Sequence, residues 1–123
     1  MKLSLYHNSI RKTNKIHCGS FFENHKPVMD LGEYKKGFFE IQDANSQAVC
    51  YWLNPTEGKY YIDSCAGAGG KSLHLANLTN NKAKILAIDI NQSKLIELKN
   101  RAKRNKINSI DTFCIKESKG RLP

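Results

Sequence analysis

The sequence predicts an α/β fold organised on a short parallel sheet, and three observations carry that expectation. The apolar run Tyr60-Tyr61-Ile62-Asp63 stops at a small-residue, glycine-rich corner, after which the pattern turns helical. About 20 residues on, Lys84-Ile85-Leu86-Ala87-Ile88-Asp89 is a second apolar strand that ends in an acid. A helical stripe, Leu95, Leu98 and Ala102 at i, i+3, i+7, then leads to a third apolar run, Thr112-Phe113-Cys114-Ile115. Strand-helix-strand-helix-strand order requires crossovers, which are right-handed and leave neighbouring strands parallel. The arrangement is Rossmann-like, with about three strands and therefore incomplete.

Taken in order, residues 1–26 are polar and irregular and predict no regular element. Short extended segments are expected at 28–31 and 37–41, the second alternating enough to be half buried. Asp43 is a good N-cap for a helix over 44–53, which Asn54-Pro55 closes. Ala48, Val49, Trp52 and Leu53 are its expected core residues. Thr56-Glu57-Gly58 is a turn before the first strand. After the corner comes a helix over 70–78, with Leu75 and Leu78 toward the sheet, then a loop over 79–82. Asn91 is the candidate cap of the next helix, and residues 116–123 read as loop. The expected division is an N-terminal α+β extension over 1–58 and the sheet domain over 59–123.

Composition narrows the function classes. The chain has 123 residues, 40% hydrophobic and 25% charged, and no apolar run near the roughly 18 residues a membrane helix needs. No apolar core follows Lys2, so neither a secretory signal nor a membrane location is expected, and a cytoplasmic one is. Cys18, Cys50, Cys65 and Cys114 lie 32, 15 and 49 residues apart, and the four histidines also lack ligand spacing, so no metal is expected. The net charge of +9 is uneven: +1 over residues 1–58 and +8 over 59–123, with Lys94, Lys99, Arg101, Lys103, Arg104 and Lys106 on the second helix. A solvated helix face or a phosphate-backbone partner would each account for that field.

The corner itself has three readings. Gly69-Gly70-Lys71-Ser72 imitates the end of a phosphate-binding loop, but that pattern needs glycine at position 65, where Cys65 stands. A dinucleotide corner wants Gly-x-Gly-x-x-Gly, and Gly67-x-Gly69 is followed by Ser72. S-adenosylmethionine fits best: its ribose needs an acid at Asp89, and its amino-acid end needs exposed backbone and an acid near Asp63.

At these residues the chain resembles the RNA (cytosine-5-)methyltransferases of the RsmB/Sun (NSUN) family. Asp63-Ser-Cys-Ala-Gly-Ala-Gly-Gly-Lys71 is similar to that family's Asp-x-Cys-Ala-Ala-Pro-Gly-Gly-Lys, and Gly37-Phe-Phe-Glu-Ile-Gln-Asp-Ala-Asn-Ser-Gln47 to its Gly-x-Phe-x-x-Gln-Asp-x-x-Ser-Gln. The Ile85-to-Asp89 strand and the Leu95, Arg101, Arg104 helix also match, so the likeness covers about residues 28–115. One position departs: Ala68 stands where the family has proline, which leaves the loop less rigid. The resemblance implies a class I methyltransferase fold and S-adenosylmethionine as cofactor. It implies that Cys65, Ala66, Gly67, Ala68, Gly69, Gly70 and Lys71 wrap the cofactor and that Asp89 binds its ribose. Asp63 reads equally as a cofactor residue or a cap on the turn. Gln42, Asp43 and Gln47 read as braces for the loop.

The family's chemistry uses a cysteine thiolate that adds to carbon 6 of cytosine, making carbon 5 nucleophilic. Its reactive cysteines lie on motifs beyond the third strand, one of them Asp-Ala-Pro-Cys. Here the prolines are Pro27, Pro55 and Pro123, and none precedes a cysteine. Cys18, Cys50 and Cys114 read as structural thiols. The expectation is thus the cofactor-binding, truncated N-terminal part of an enzyme acting on rRNA or tRNA, with no catalytic residue of its own and a complementing C-terminal half elsewhere. The rival is a non-catalytic RNA- or partner-binding remnant that works through its basic helix.

Overall fold

A computed structural model describes residues 10–12, 20–22 and 28–115 of the chain. Strands β1 (Ile10–Lys12) and β2 (Ser20–Phe22) form a small antiparallel ribbon. A 3-10 turn (Val28–Asp30) and helix α1 (Gly32–Lys35) follow, then α2 (Ala44–Leu53), β3 (Tyr60–Asp63), α3 (Gly70–Leu78), β4 (Lys84–Asp89), α4 (Gln92–Arg104) and β5 (Ile110–Cys114).

The expected α/β sheet is present. β3, β4 and β5 lie side by side in chain order and are parallel. Both crossovers step across the sheet in the same direction, so right-handed connections put α3 and α4 on one face. The register shows which side chains meet them. Tyr61, Ile85 and Ile110 form one cross-strand row, and Asp63, Ala87 and Thr112 the next. Leu95, Leu98 and Ala102 of α4 pack with Ala66, Leu73 and Ala87, while Leu75 and Ala76 of α3 join Cys50, Ala83 and Ile85. Each fully buried Leu or Ile contributes roughly 1.5–3 kcal/mol. The other face is exposed at Tyr60 and Ile62 (75% and 69%) toward the β3 edge, whereas Ile88 on the same face is buried.

Helix ends form as the sequence predicts. Asp43 accepts hydrogen bonds from the N–H groups of Asn45 and Ser46, and left-handed Asn54 ends α2. Asn91 caps α4 through Ser93 and Lys94.

Four expectations are corrected. Residues 28–31 are not extended but contain the 3-10 turn. Residues 37–41 form no strand, because this segment lies against the end of α4: a Cβ on Gly37 (φ +76°) would sit 2.3 Å from the Arg104 carbonyl oxygen. Val49, Trp52 and Leu53 are exposed, Trp52 by 84%; α2 packs instead through Cys50, whose thiol points at the Lys71 carbonyl. The third strand begins two residues earlier than expected, at Ile110. The β1–β2 ribbon lies where no element is expected, and Cys18 and the 116–123 tail lie outside the described residues.

Candidate functional site

The corner between β3 and α3 is shaped by its own backbone. The Ala66 N–H donates to the Ile88 carbonyl (3.0 Å), the Gly69 N–H to the Ala66 carbonyl (2.8 Å) and the Leu73 N–H to the Gly69 carbonyl (2.8 Å). Gly67 and Gly69 have φ of +53° and +86°, the left-handed region that glycine adopts without penalty. They differ in surroundings. A Cβ on Gly69 would meet Leu98 Cγ at 2.4 Å, so this glycine lets α4 close on the corner. A Cβ on Gly67 would meet nothing within 4 Å, so that side of the corner is open to a ligand. Gly70 starts α3 beside the Gln42 side chain, 3.7 Å from the position of its Cβ.

Asp89 joins this corner across 22 residues of sequence. Its Oδ2 accepts the Gly67 N–H at 2.7 Å, and its Oδ1 accepts the Asn91 N–H at 2.8 Å. These bonds from Asn91 and Gly67 hold its carboxyl below the usual carboxylate range. A carboxylate has about four lone-pair sites, so these backbone bonds leave room for a hydroxyl donor.

The remaining predicted residues divide. Ala66 is buried in the α4 core and offers only its backbone to a ligand, whereas Cys65 is an exposed free thiol. Ala68 and Gly70 are half buried. Lys71 lines a cleft with Val49, Cys50, Leu53, Ile62, Asp63 and Leu75 on the β3 side. Asp63 is buried and accepts the Ser72 hydroxyl at 2.8 Å, tying the end of β3 to the first turn of α3. Its cap role is therefore occupied. Burial and the nearby Asp63 charge push the Cys50 thiol up to about 11, which leaves it an inert core group. Gln47 donates to the Gln42 carbonyl at 3.1 Å, so these two residues brace the segment facing Gly70. No cluster of three or more His, Cys, Asp or Glu that could hold a metal exists among the described residues.

Sequence reasoning missed Glu40. Its Oε2 accepts Arg101 Nε (3.1 Å) and Nη2 (2.8 Å), and its Oε1 accepts Arg104 Nη2 and Asn105 Nδ2 (2.6 Å for the latter). Arg101 also donates through Nη1 to the Ala68 carbonyl at 2.8 Å. Two of the six cations of the basic segment are thus internal, and a third, Lys106, lies past the end of α4. Glu40 lies 61 residues before Arg101, too far for any sequence periodicity to pair them.

A family model described as 16S rRNA methyltransferase RsmB/F matches residues 50–121. Ribosomal RNA small subunit methyltransferase B of Escherichia coli O6:K15:H31 is 33% identical over 101 residues, covering 82% of this chain and 22% of that protein. The chain thus spans about a fifth of the length of such curated relatives. NSun6 from Pyrococcus horikoshii, solved with SFG, superimposes with a TM-score of 0.70 at 30% identity, covering 73% of this chain and 23% of that one. The crystal structure of PH0851 shares the fold with a TM-score of 0.83 at 24% identity, over 88% of this chain and 24% of that one. With its glycine corner and the acid of its second strand in the expected places and more than half its length matched, the chain belongs to the RsmB/F methyltransferase family.

Proposed function

We propose that this chain is the S-adenosylmethionine-binding portion of an RNA (cytosine-5-)methyltransferase acting on rRNA or tRNA. The observation that carries the reading is the 2.7 Å contact between the Gly67 N–H and Asp89, which sets the two motifs side by side next to open space. In this reading Cys65 to Lys71 wrap the methyl donor with backbone groups, and Asp89 accepts its ribose hydroxyls. The donor supplies the methyl group. In this reading the thiolate that activates cytosine lies outside the described residues: Cys50 is buried, Cys65 sits in the cofactor corner, and the Cys114 thiol, at the end of β5, faces the Ile90 carbonyl at 3.5 Å. A complementing C-terminal half would bring it.

Residues 59–123 form the first half of the cofactor domain in this proposal, and residues 1–58 its extension. RNA is the proposed partner, in the cytoplasm. Lys99, Lys103 and Lys106 are exposed and make no ion pair among the described residues, so they remain available to phosphates after Arg101 and Arg104 are committed to Glu40. That same observation favours the rival, a non-catalytic RNA-binding remnant.

Calorimetric titration of the purified chain with S-adenosylmethionine tests the first reading. Micromolar binding that falls at least about tenfold, or 1.4 kcal/mol, in Asp89→Ala supports it. No saturable binding, together with salt-dependent RNA binding that Asp89→Ala leaves unchanged, would sink it in favour of the remnant.

A further inference from the structure

We propose that Arg101 is a positioning residue for the glycine corner: braced by Glu40, it fixes the Ala68–Gly69 peptide in the orientation that receives the methyl donor. The proposal rests on the cofactor reading above and adds a residue on a different element that acts through the corner backbone.

The corner needs such a device. Ala68 lies between Gly67 and Gly69, both at positive φ, and glycine populates positive and negative φ about equally. The Ala68–Gly69 peptide turns about ψ of Ala68 and φ of Gly69, and glycine leaves the second of these nearly unrestrained. Here it is held at both ends: its carbonyl accepts Arg101 Nη1 at 2.8 Å, and its N–H, that of Gly69, donates to the Ala66 carbonyl at 2.8 Å. A proline at position 68 would supply stiffness by fixing φ. With alanine there, the restraint comes from outside the loop.

Arg101 is suited to supply it because its own freedom is gone. Nε and Nη2 engage Glu40, and Glu40 is held in turn by Arg104 and Asn105. The guanidinium of Arg104 lies 4.1 Å from the centre of the Tyr34 ring. The Arg101, Glu40 and Arg104 side chains are only 14%, 18% and 23% exposed, so solvent screens this network weakly and the fork is set before any ligand arrives. A surface ion pair would not do this, since most such pairs contribute little.

The test uses the full chain and needs no ligand for its first arm. Amide hydrogen exchange by NMR is compared in wild type, Arg101→Gln, Arg101→Lys and the double variant Arg101→Gln/Ala68→Pro. Ala68 is not among the residues at positive φ, and its N–H makes no backbone hydrogen bond among the described residues, so proline removes no bond there. Arg101→Gln should speed Gly69 exchange about tenfold or more relative to Ile85 and Leu98, and weaken S-adenosylmethionine binding to a similar degree. The added proline should restore much of both, a rescue that a purely adhesive role for Arg101 would not show. Arg101→Lys, which loses the fork, should resemble the glutamine variant. If Arg101→Gln does not fold, Glu40→Gln replaces it and should raise Gly69 exchange by a smaller factor.

Gly69 exchange as in wild type, or acceleration spread evenly over the core without rescue by proline, overturns the proposal. A wild-type chain that shows the exchange pattern yet fails to bind S-adenosylmethionine overturns the cofactor reading instead.

Discussion

Two glycines two residues apart in the corner should respond very differently to a methyl group. Gly69→Ala combines a left-handed φ of +86° with a contact 2.4 Å from Leu98 Cγ, in the centre of the α4 packing. Overpacking of this kind costs about 1–3 kcal/mol, and the left-handed backbone adds roughly 1–2 more. Gly67→Ala carries only the backbone part, because its Cβ enters open space. Urea denaturation should therefore show Gly69→Ala destabilised by at least about 1 kcal/mol more than Gly67→Ala; equal losses would mean that Leu98 moves aside freely. On the cofactor reading proposed above, the order reverses for ligand binding, since the open side of Gly67 is where the donor would pass. Much of this site was legible in the sequence. The small residues at 66–70 and the acid at 89 advertise a corner and its partner at a fixed spacing. The pairing of Glu40 with Arg101 and Arg104 was not legible, since charges on separate elements leave no local pattern. Nor was the occupation of Asp63 by Ser72, which depends on how the first turn of α3 meets the end of β3.

At the scale of elements, legibility follows how local the signal is. α2 runs from its Asp43 cap to Asn54 and α4 starts after its Asn91 cap, while α3 fills the expected 70–78 without a side-chain cap, because capping and amphipathicity act within a few residues. The segment over 37–41 alternates like a strand, yet it is pulled onto the end of α4 by Glu40 and by the fit of Gly37, a tertiary choice that overrides propensity. Trp52 reads as a core residue and is exposed because α2 presents Cys50 to α3 instead. The same α2–α3 contact carries a pH dependence. His74 of α3 meets the Tyr51 ring edge-on at 5.2 Å, and burial lowers its pKa from 6.5. Its Nδ1 is buried with no hydrogen-bond partner among the described residues. The folded state thus binds fewer protons here than the unfolded chain. This contribution is intact above about pH 6.5 and is lost as the pH falls from there toward the lower folded value. The melting temperature should decline from pH 7 to 5.5, and His74→Phe, which keeps the ring contact, should flatten that decline. An unchanged slope in the variant would assign the effect to another group.

At the scale of the molecule, all the sheet-covering helices lie on one side. α3 and α4 shield the Ile85 and Ala87 rows, while Tyr60 and Ile62 face outward and the free edge of β3 has no strand partner among the described residues. Val49 and Leu53 extend this apolar surface along the cleft beside Ile62. Apolar area left in water costs roughly 25 cal/mol per Å², and an open strand edge offers unpaired N–H and C=O groups. The isolated chain should therefore self-associate as its concentration rises in analytical ultracentrifugation, and Ile62→Lys should shift the population toward monomer. A wild-type chain that stays monomeric across that range would show the surface to be masked. The ordering of the three strands has one more consequence, for synthesis. β3 pairs with β4 and β4 with β5, each with its nearest successor, so every loop that must close spans only a couple of dozen residues. Parallel pairing is intrinsically slow, and these short crossovers keep its loop-closure cost small. As the polypeptide leaves the ribosome, the Gly67–Asp89 contact can form once β4 has emerged, whereas the Arg101 bond to the corner waits for α4.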